Sequence, residues 1–126
     1  MEVKNVRWVG IPTANYQAMK SFLAETMGLR LGFDHETTAE FETSEGDEIQ
    51  IMAPGDPYYG LFTAEARGPV PLFEVDDVRR ARDELIAAGI EIVGGLGVDS
   101  NWEWIHFRAP DGNLYELANR RLDSGC

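Results

Sequence analysis

The feature that most constrains this chain is an internal repeat: each half reads as a strand, a helix and then three strands. In the first half a strand over about 5–12 is followed by a helix with Tyr16, Met19, Phe22, Leu23 and Met27 on one face. Asn15 is its expected N-cap, and Gly28 lies past its end. Leu29–Phe33, Ala39–Thr43 and Glu48–Met52 read as three strands, parted by polar stretches. The second half opens with Pro71–Val75 and a helix carrying Val78, Ala81, Leu85 and Ala88, capped by Asp76 or Asp77 and closed by Gly89. Ile90–Val93, Trp102–Arg108 and Leu114 to about Asn119 complete it. Residues 53–60 read as a connector and Gly94–Asn101 as a mobile loop. Neither half can bury both faces of its sheet alone, so the two are expected to share one domain.

The last hairpin fixes a register. Pro110-Asp111-Gly112 separates two β-rich runs, and Gly112 can adopt the positive φ that such a turn needs. With 109 and 113 flanking the turn, Arg108 faces Leu114, Phe107 faces Tyr115 and His106 faces Glu116. One of the two histidines of the chain is thereby set opposite an acid within an apolar strand.

Side-chain alternation then sorts the sheet into two faces. Ile49, Ile51, Phe73, Val75, Tyr115 and Leu117 point toward the helices. Trp8, Gln50, Leu72, His106 and Glu116 line the opposite, concave side, with Trp102 and Trp104 sharing the parity of His106. A carboxylate such as Glu116 is rarely buried without a partner or a use. Trp8 suits either core or an aromatic platform, Gln50 either an edge position or the cleft, and Arg108 either an anion partner or solvent. Tyr58 and Tyr59 in the connector suit packing or closure over a ligand.

Composition excludes several classes. A chain of 126 residues can bury a core without staples. No apolar run is long enough to span a membrane, and the first residues lack the features of a secretory signal. Cys126 is the only cysteine, so no intrachain disulfide forms and a cytoplasmic setting is expected. The 22 acids against 11 bases, a net charge of −11, disfavour nucleic acid and favour cationic partners or simply solubility. Phosphate-binding glycine loops and Ser, Cys or Lys nucleophile motifs are missing.

The hairpin Ala109–Leu117, the opening run Val6-Arg7-Trp8-Val9-Gly10-Ile11-Pro12 and the run Leu72-Phe73-Glu74-Val75-Asp76-Asp77-Val78 together resemble the glyoxalase / bleomycin-resistance / extradiol dioxygenase superfamily, also called vicinal oxygen chelate proteins. The resemblance covers about residues 5–121. It implies an α+β fold of two βαβββ modules in a curved mixed sheet around a cleft, helices outside, with modules at about 5–53 and 69–121 joined by a connector over about 54–68. It also implies a homodimer.

Metal-using members hold a divalent ion with one His, Glu or Gln from the first and last strand of each half. The resemblance puts Trp8, Val70, Gln50 and Glu116 at these places. Trp offers only an N–H donor and Val offers nothing, which disfavours a metal and leaves Gln50 and Glu116 as weak candidates, with His106 as a replacement third ligand. The leading expectation is a binding protein of the bleomycin-resistance type, holding an aromatic or cationic compound through Trp8, Gln50, Leu72, Trp102, Trp104, His106 and Glu116. The alternatives are a superfamily enzyme (lyase, isomerase or ring-cleaving dioxygenase), metal-free with Glu116 as base and His106 tuning it or on a degenerate metal site, and a module with a vestigial cavity.

Overall fold

The computed structural model describes residues 1–66 and 68–121; Arg67 of the connector and Cys126 lie outside them. Eight strands form one sheet: β1 (Asn5–Pro12), β2 (Arg30–Asp34), β3 (Thr38–Glu42), β4 (Glu48–Met52), β5 (Val70–Glu74), β6 (Glu91–Val98), β7 (Trp102–Arg108) and β8 (Leu114–Arg120). Their order is β2-β3-β4-β1-β5-β8-β7-β6, so each half contributes four contiguous strands. β1 runs parallel to β4 and β5 parallel to β8, while β1 and β5 meet antiparallel at the junction of the halves. This is the curved mixed sheet that the family resemblance implied, and it is open.

Helices α1 (Tyr16–Ser21) and α3 (Val78–Ala87) cover one face. Tyr16 and Leu23 pack with Phe41 and Ile51, and Val78 and Ala81 pack with Val75, Ile105 and Leu117. The alternation read from the sequence therefore sets the core on the helix side. Asp77 caps α3, its Oδ1 accepting from the N–H groups of Arg79 at 3.1 Å and Arg80 at 3.2 Å.

Four local expectations are corrected. Asn15 makes no side-chain cap; instead its own N–H donates to Thr13 Oγ1 at 3.0 Å. The first helix continues beyond Ser21 as a π-helical turn over Phe22–Thr26, closed by Met27 N–H donating to Phe22 O. Phe22, at the start of that turn, and Met27, past its phase shift, face solvent instead of the sheet. Ala88, at the end of α3, is likewise exposed. The run Gly94–Val98 is not a loop but the continuation of β6 past a register shift between Val93 and Gly97.

The connector holds the largest departure. Pro57–Glu65 forms a third helix, α2, with Pro57 in its first turn and Asp56 Oδ1 accepting from Tyr58 N–H at 2.9 Å. It packs on the concave side, where Phe62 joins Met52, Val70 and Leu114. Arg108 anchors its far end, pairing with the Glu65 carboxylate and donating to Glu65 O at 3.0 Å and Gly112 O at 3.1 Å. Arg108 thus ties helix to hairpin. Among the described residues no helix is long and apolar enough to cross a membrane.

Candidate functional site

The hairpin register is the one read from the turn: Arg108 pairs with Leu114, Phe107 with Tyr115 and His106 with Glu116. Gly112 takes a φ of 86°. His106 Nε2 stands 3.5 Å from Glu116 Oε2, and both side chains are only 7% exposed. Among the described residues that nitrogen has no hydrogen-bond partner. Its ring is enclosed by Phe62 and Tyr58, with centroids 5.8 and 6.2 Å away.

On the concave side lies a cavity of about 440 Å³. Trp8, Gln50, Leu72, Trp102, Trp104 and Glu116 all line it, whereas His106 stands beside Glu116 on the neighbouring strand, against Phe62 and Tyr58, and is not on the wall. Tyr58 also lines it, while Tyr59 packs into the cluster beneath α2.

The two halves superimpose by register. Gln50 neighbours Gly10 across β4 and β1, as Glu116 neighbours Leu72 across β8 and β5. Two residues before Gly10 is Trp8, and two before Leu72 is Val70, so these four are equivalent pairs. They do not compose a metal site. Trp8 Nε1 donates to Gln50 Oε1 at 3.1 Å, occupying the oxygen a cation would need. The Gln50 amide in turn donates to Thr38 Oγ1 at 2.8 Å. Val70 is fully buried beside Phe62, whose ring stands 6.1 Å from Trp8 and 5.8 Å from His106. Two of the four positions thus carry an indole and a valine, and the Phe62 ring packs against both. Among the described residues, no three His, Cys, Asp or Glu side chains are grouped to hold an ion.

Of the lining residues, Arg7, Glu40, Glu48, Phe62 and Asp99 were missed from the sequence. Alternation along β4 from Gln50 reaches Glu48, and Glu40 stands opposite Gln50 on β3, so both were within reach. Arg7 was not, because a register shift between Val6 and Trp8 breaks the alternation of β1 at that residue. Phe62 was hidden in the unrecognised helix. Asp99 sits in the turn before β7, accepting from the N–H groups of Asn101 and Trp102 at 2.8 Å each.

The wall is acidic and aromatic. Glu40, Glu48, Asp99 and Glu116 face one cation, Arg7, whose Nε lies 3.8 Å from Glu48. Arg7 and Arg120 stack on Trp102, at 5.8 and 4.9 Å from its ring. Burial, and then the neighbouring Glu48 and Asp99 carboxylates, push the Glu40 carboxyl above the usual range. The folded chain holds that proton more firmly than the unfolded chain does. The resulting contribution to stability fades as pH rises through the folded value. Burial likewise raises the Tyr58 phenol, against a hydrogen bond from Trp104 that lowers it.

Glycines place two of the tryptophans. A Cβ on Gly97 would stand 2.2 Å from the Trp104 ring, and one on Gly10 would stand 2.1 Å from that of Trp8. Gly97→Ala is therefore expected to push Trp104 off the strand and break its bond to Tyr58, with a loss of roughly 1–3 kcal/mol. Chemical denaturation and a shift in tryptophan emission check this outcome. Unchanged emission and stability would contradict the placement.

Comparison with known proteins follows the same line. The family model described as Glyoxalase/Bleomycin resistance protein/Dioxygenase superfamily matches residues 5–117. The chain belongs to that superfamily. A hypothetical protein from Bacillus halodurans is similar at 14% identity and a TM-score of 0.75, covering 93% of this chain and 94% of that one. Methylmalonyl-CoA epimerase from Mycobacterium tuberculosis is similar at 20% identity and TM-score 0.71, covering 94% and 89%. The Mn(II)-bound glyoxalase from Novosphingobium aromaticivorans, at 22% and 0.71, covers 93% of this chain but 39% of its own. At such identities the likeness is one of fold. Curated proteins gave no match.

Proposed function

We propose that this chain is a small-molecule binding protein of the bleomycin-resistance type, which sequesters an aromatic compound carrying positive charge. The observation that carries this reading is the makeup of the cavity wall, where four carboxyl side chains and three tryptophans meet one arginine. An aromatic body stacks on indole faces, and a cation gains from carboxylates held in a partly desolvated cleft. Trp8 is held as a fixed platform by its bond to Gln50, so little order is lost on binding.

Titration with cationic aromatic antibiotics, followed by tryptophan fluorescence, tests it. Saturable quenching by at least one of them, with weaker binding of anionic analogues, is expected. Absence of saturable quenching by all of them would overturn the reading. We also propose that the protein works in the cytoplasm as a homodimer; light scattering at the 14.1 kDa monomer mass would contradict the dimer.

One observation favours a second reading, a metal-free enzyme. Glu116 opens onto the cavity with His106 beside it on the neighbouring strand, an arrangement suited to a general base with a neighbour that steadies it. Exchange of a substrate C–H proton with solvent deuterium, lost in Glu116→Gln, would support this reading over simple binding.

A further inference from the structure

Arg7 reaches the cleft through a break in its strand. The β1–β5 ladder pairs Val6 with Phe73 and then Trp8 with Leu72, so Arg7 is an extra residue with no partner on β5. Such a bulge re-aims a side chain, and here two consecutive residues, Arg7 and Trp8, line one cavity. Regular alternation would have put Arg7 on the face opposite to Trp8. The guanidinium lies among groups that attract cations. Its carbon stands 5.8 Å from the centre of the Trp102 ring, and Glu40, Glu48 and Asp99 share the same wall.

Arg108, which ties α2 to the hairpin, donates to Glu65 O and Gly112 O and pairs with the Glu65 carboxylate. Arg7 Nε, by contrast, is buried, and among the described residues it has no hydrogen-bond partner. It stands 3.8 Å from Glu48 Oε1, close enough for an attraction of charge but too far for a hydrogen bond. Arg120 also stacks on Trp102, at 4.9 Å, but it lies outside the cavity wall and has Glu74 at 3.4 Å. Of the two arginines on Trp102, Arg7 is the one in the way of a ligand. A buried donor left unpaired raises the free energy of the state that contains it, so this seat holds Arg7 weakly.

We propose that Arg7 is a built-in stand-in for the ligand's cation: it occupies the seat beside Trp102 and Glu48 in the free protein and is displaced when an aromatic cation binds. The inference rests on the cation-binding reading and adds the chemistry of the seat and a gate on it. A guanidinium is planar, delocalised and weakly hydrated, and it stacks on an indole in a way that a compact ammonium does not. The seat therefore selects planar, delocalised cations. Such a ligand takes over the Trp102 contact and the Glu48 charge, and Arg7 swings to solvent, where its donors meet water. Compounds too weak to displace a tethered cation of high local concentration are excluded.

Fluorescence titration of the intact protein and of Arg7→Ala tests this, with N-methylacridinium, an aromatic ion of permanent charge, and its uncharged relative N-methylacridone as probes. The variant is expected to bind the ion roughly 3- to 30-fold more tightly than the wild type. It should also bind N-methylacridone more tightly, because the Trp102 face is laid open. Millimolar methylguanidinium should refill the seat and return the variant to wild-type affinity, whereas tetramethylammonium at the same concentration should not. A gain confined to the charged probe would mean that Arg7 acts through charge alone, and would overturn the proposal. So would saturable binding of the ion by the wild type with no gain in Arg7→Ala, which leaves the cation-binding reading standing. Absence of saturable binding by either protein would remove both. Should Arg7→Ala fail to melt cooperatively, hydrogen exchange of the Arg7 Nε–H in labelled wild type reads the same step, slow while buried and fast once the ion is bound. Protection retained at saturation would overturn the proposal.

Discussion

Glu116→Gln lowers affinity for a cationic aromatic ligand by roughly 10- to 100-fold, the equivalent of losing one charged partner. The same substitution leaves the melting temperature almost unchanged. The reasoning is geometric. Glu116 lines the cavity, yet among the described residues its ionic neighbour is His106 at 3.5 Å, a distance and orientation that form no hydrogen bond. The side chain therefore contributes its charge to the cavity more than it contributes a bond to the fold, and an isosteric amide keeps the packing. Fluorescence titration beside a thermal melt separates the two roles. A fall in melting temperature with binding per folded molecule intact would make Glu116 a structural residue.

Phe62→Ala gives the largest loss of stability among single changes near the site, roughly 3–5 kcal/mol. Phe62 is 1% exposed, and its ring meets those of Trp8, Tyr58 and His106. It is the side chain that fastens α2 over the concave face, so its removal leaves a hole between the helix and the sheet. The melting temperature is expected to fall by roughly 10–20 °C. Calorimetric melting checks the figure. A fall of only a degree or two would mean that α2 is held from elsewhere, through Arg108 and Glu65.

The parts of the fold that follow a period were legible, and those that break one were not. Alternation along β4, β5, β7 and β8 put Gln50, Leu72, His106 and Glu116 on one face, because those strands pair without interruption over these residues. Where a register shift intervenes, the reading failed. Arg7 turned into the cleft at the irregularity in β1, and β6 ran on through glycines that looked like a loop. Helix α2 escaped for a different reason. Tyr58, Tyr59, Leu61 and Phe62 are apolar on every side of the helix, so no stripe marks it, although Asp56-Pro57 carried the signal of a helix start. The first helix kept its stripe only as far as the π-helical turn, which no sequence period announces.

The candidate site was legible to the same extent. Trp8 and Val70 were recognisable from the sequence as residues unable to ligate a metal ion, and the register relates them to each other as Gln50 is related to Glu116. Invisible beforehand were the things that depend on three-dimensional proximity. Trp8 takes up the Gln50 oxygen, Phe62 packs against Trp8 and Val70, and Glu40 and Glu48 line the same cavity.

Equilibrium binding of N-methylacridinium in excess chelator, before and after addition of Mn(II), tests most directly the proposal that this cleft binds an aromatic cation without a metal. Saturable one-to-one quenching of tryptophan fluorescence in the chelator, unchanged or weakened by Mn(II), is the predicted result. Binding that appears only once the divalent ion is supplied would contradict the account.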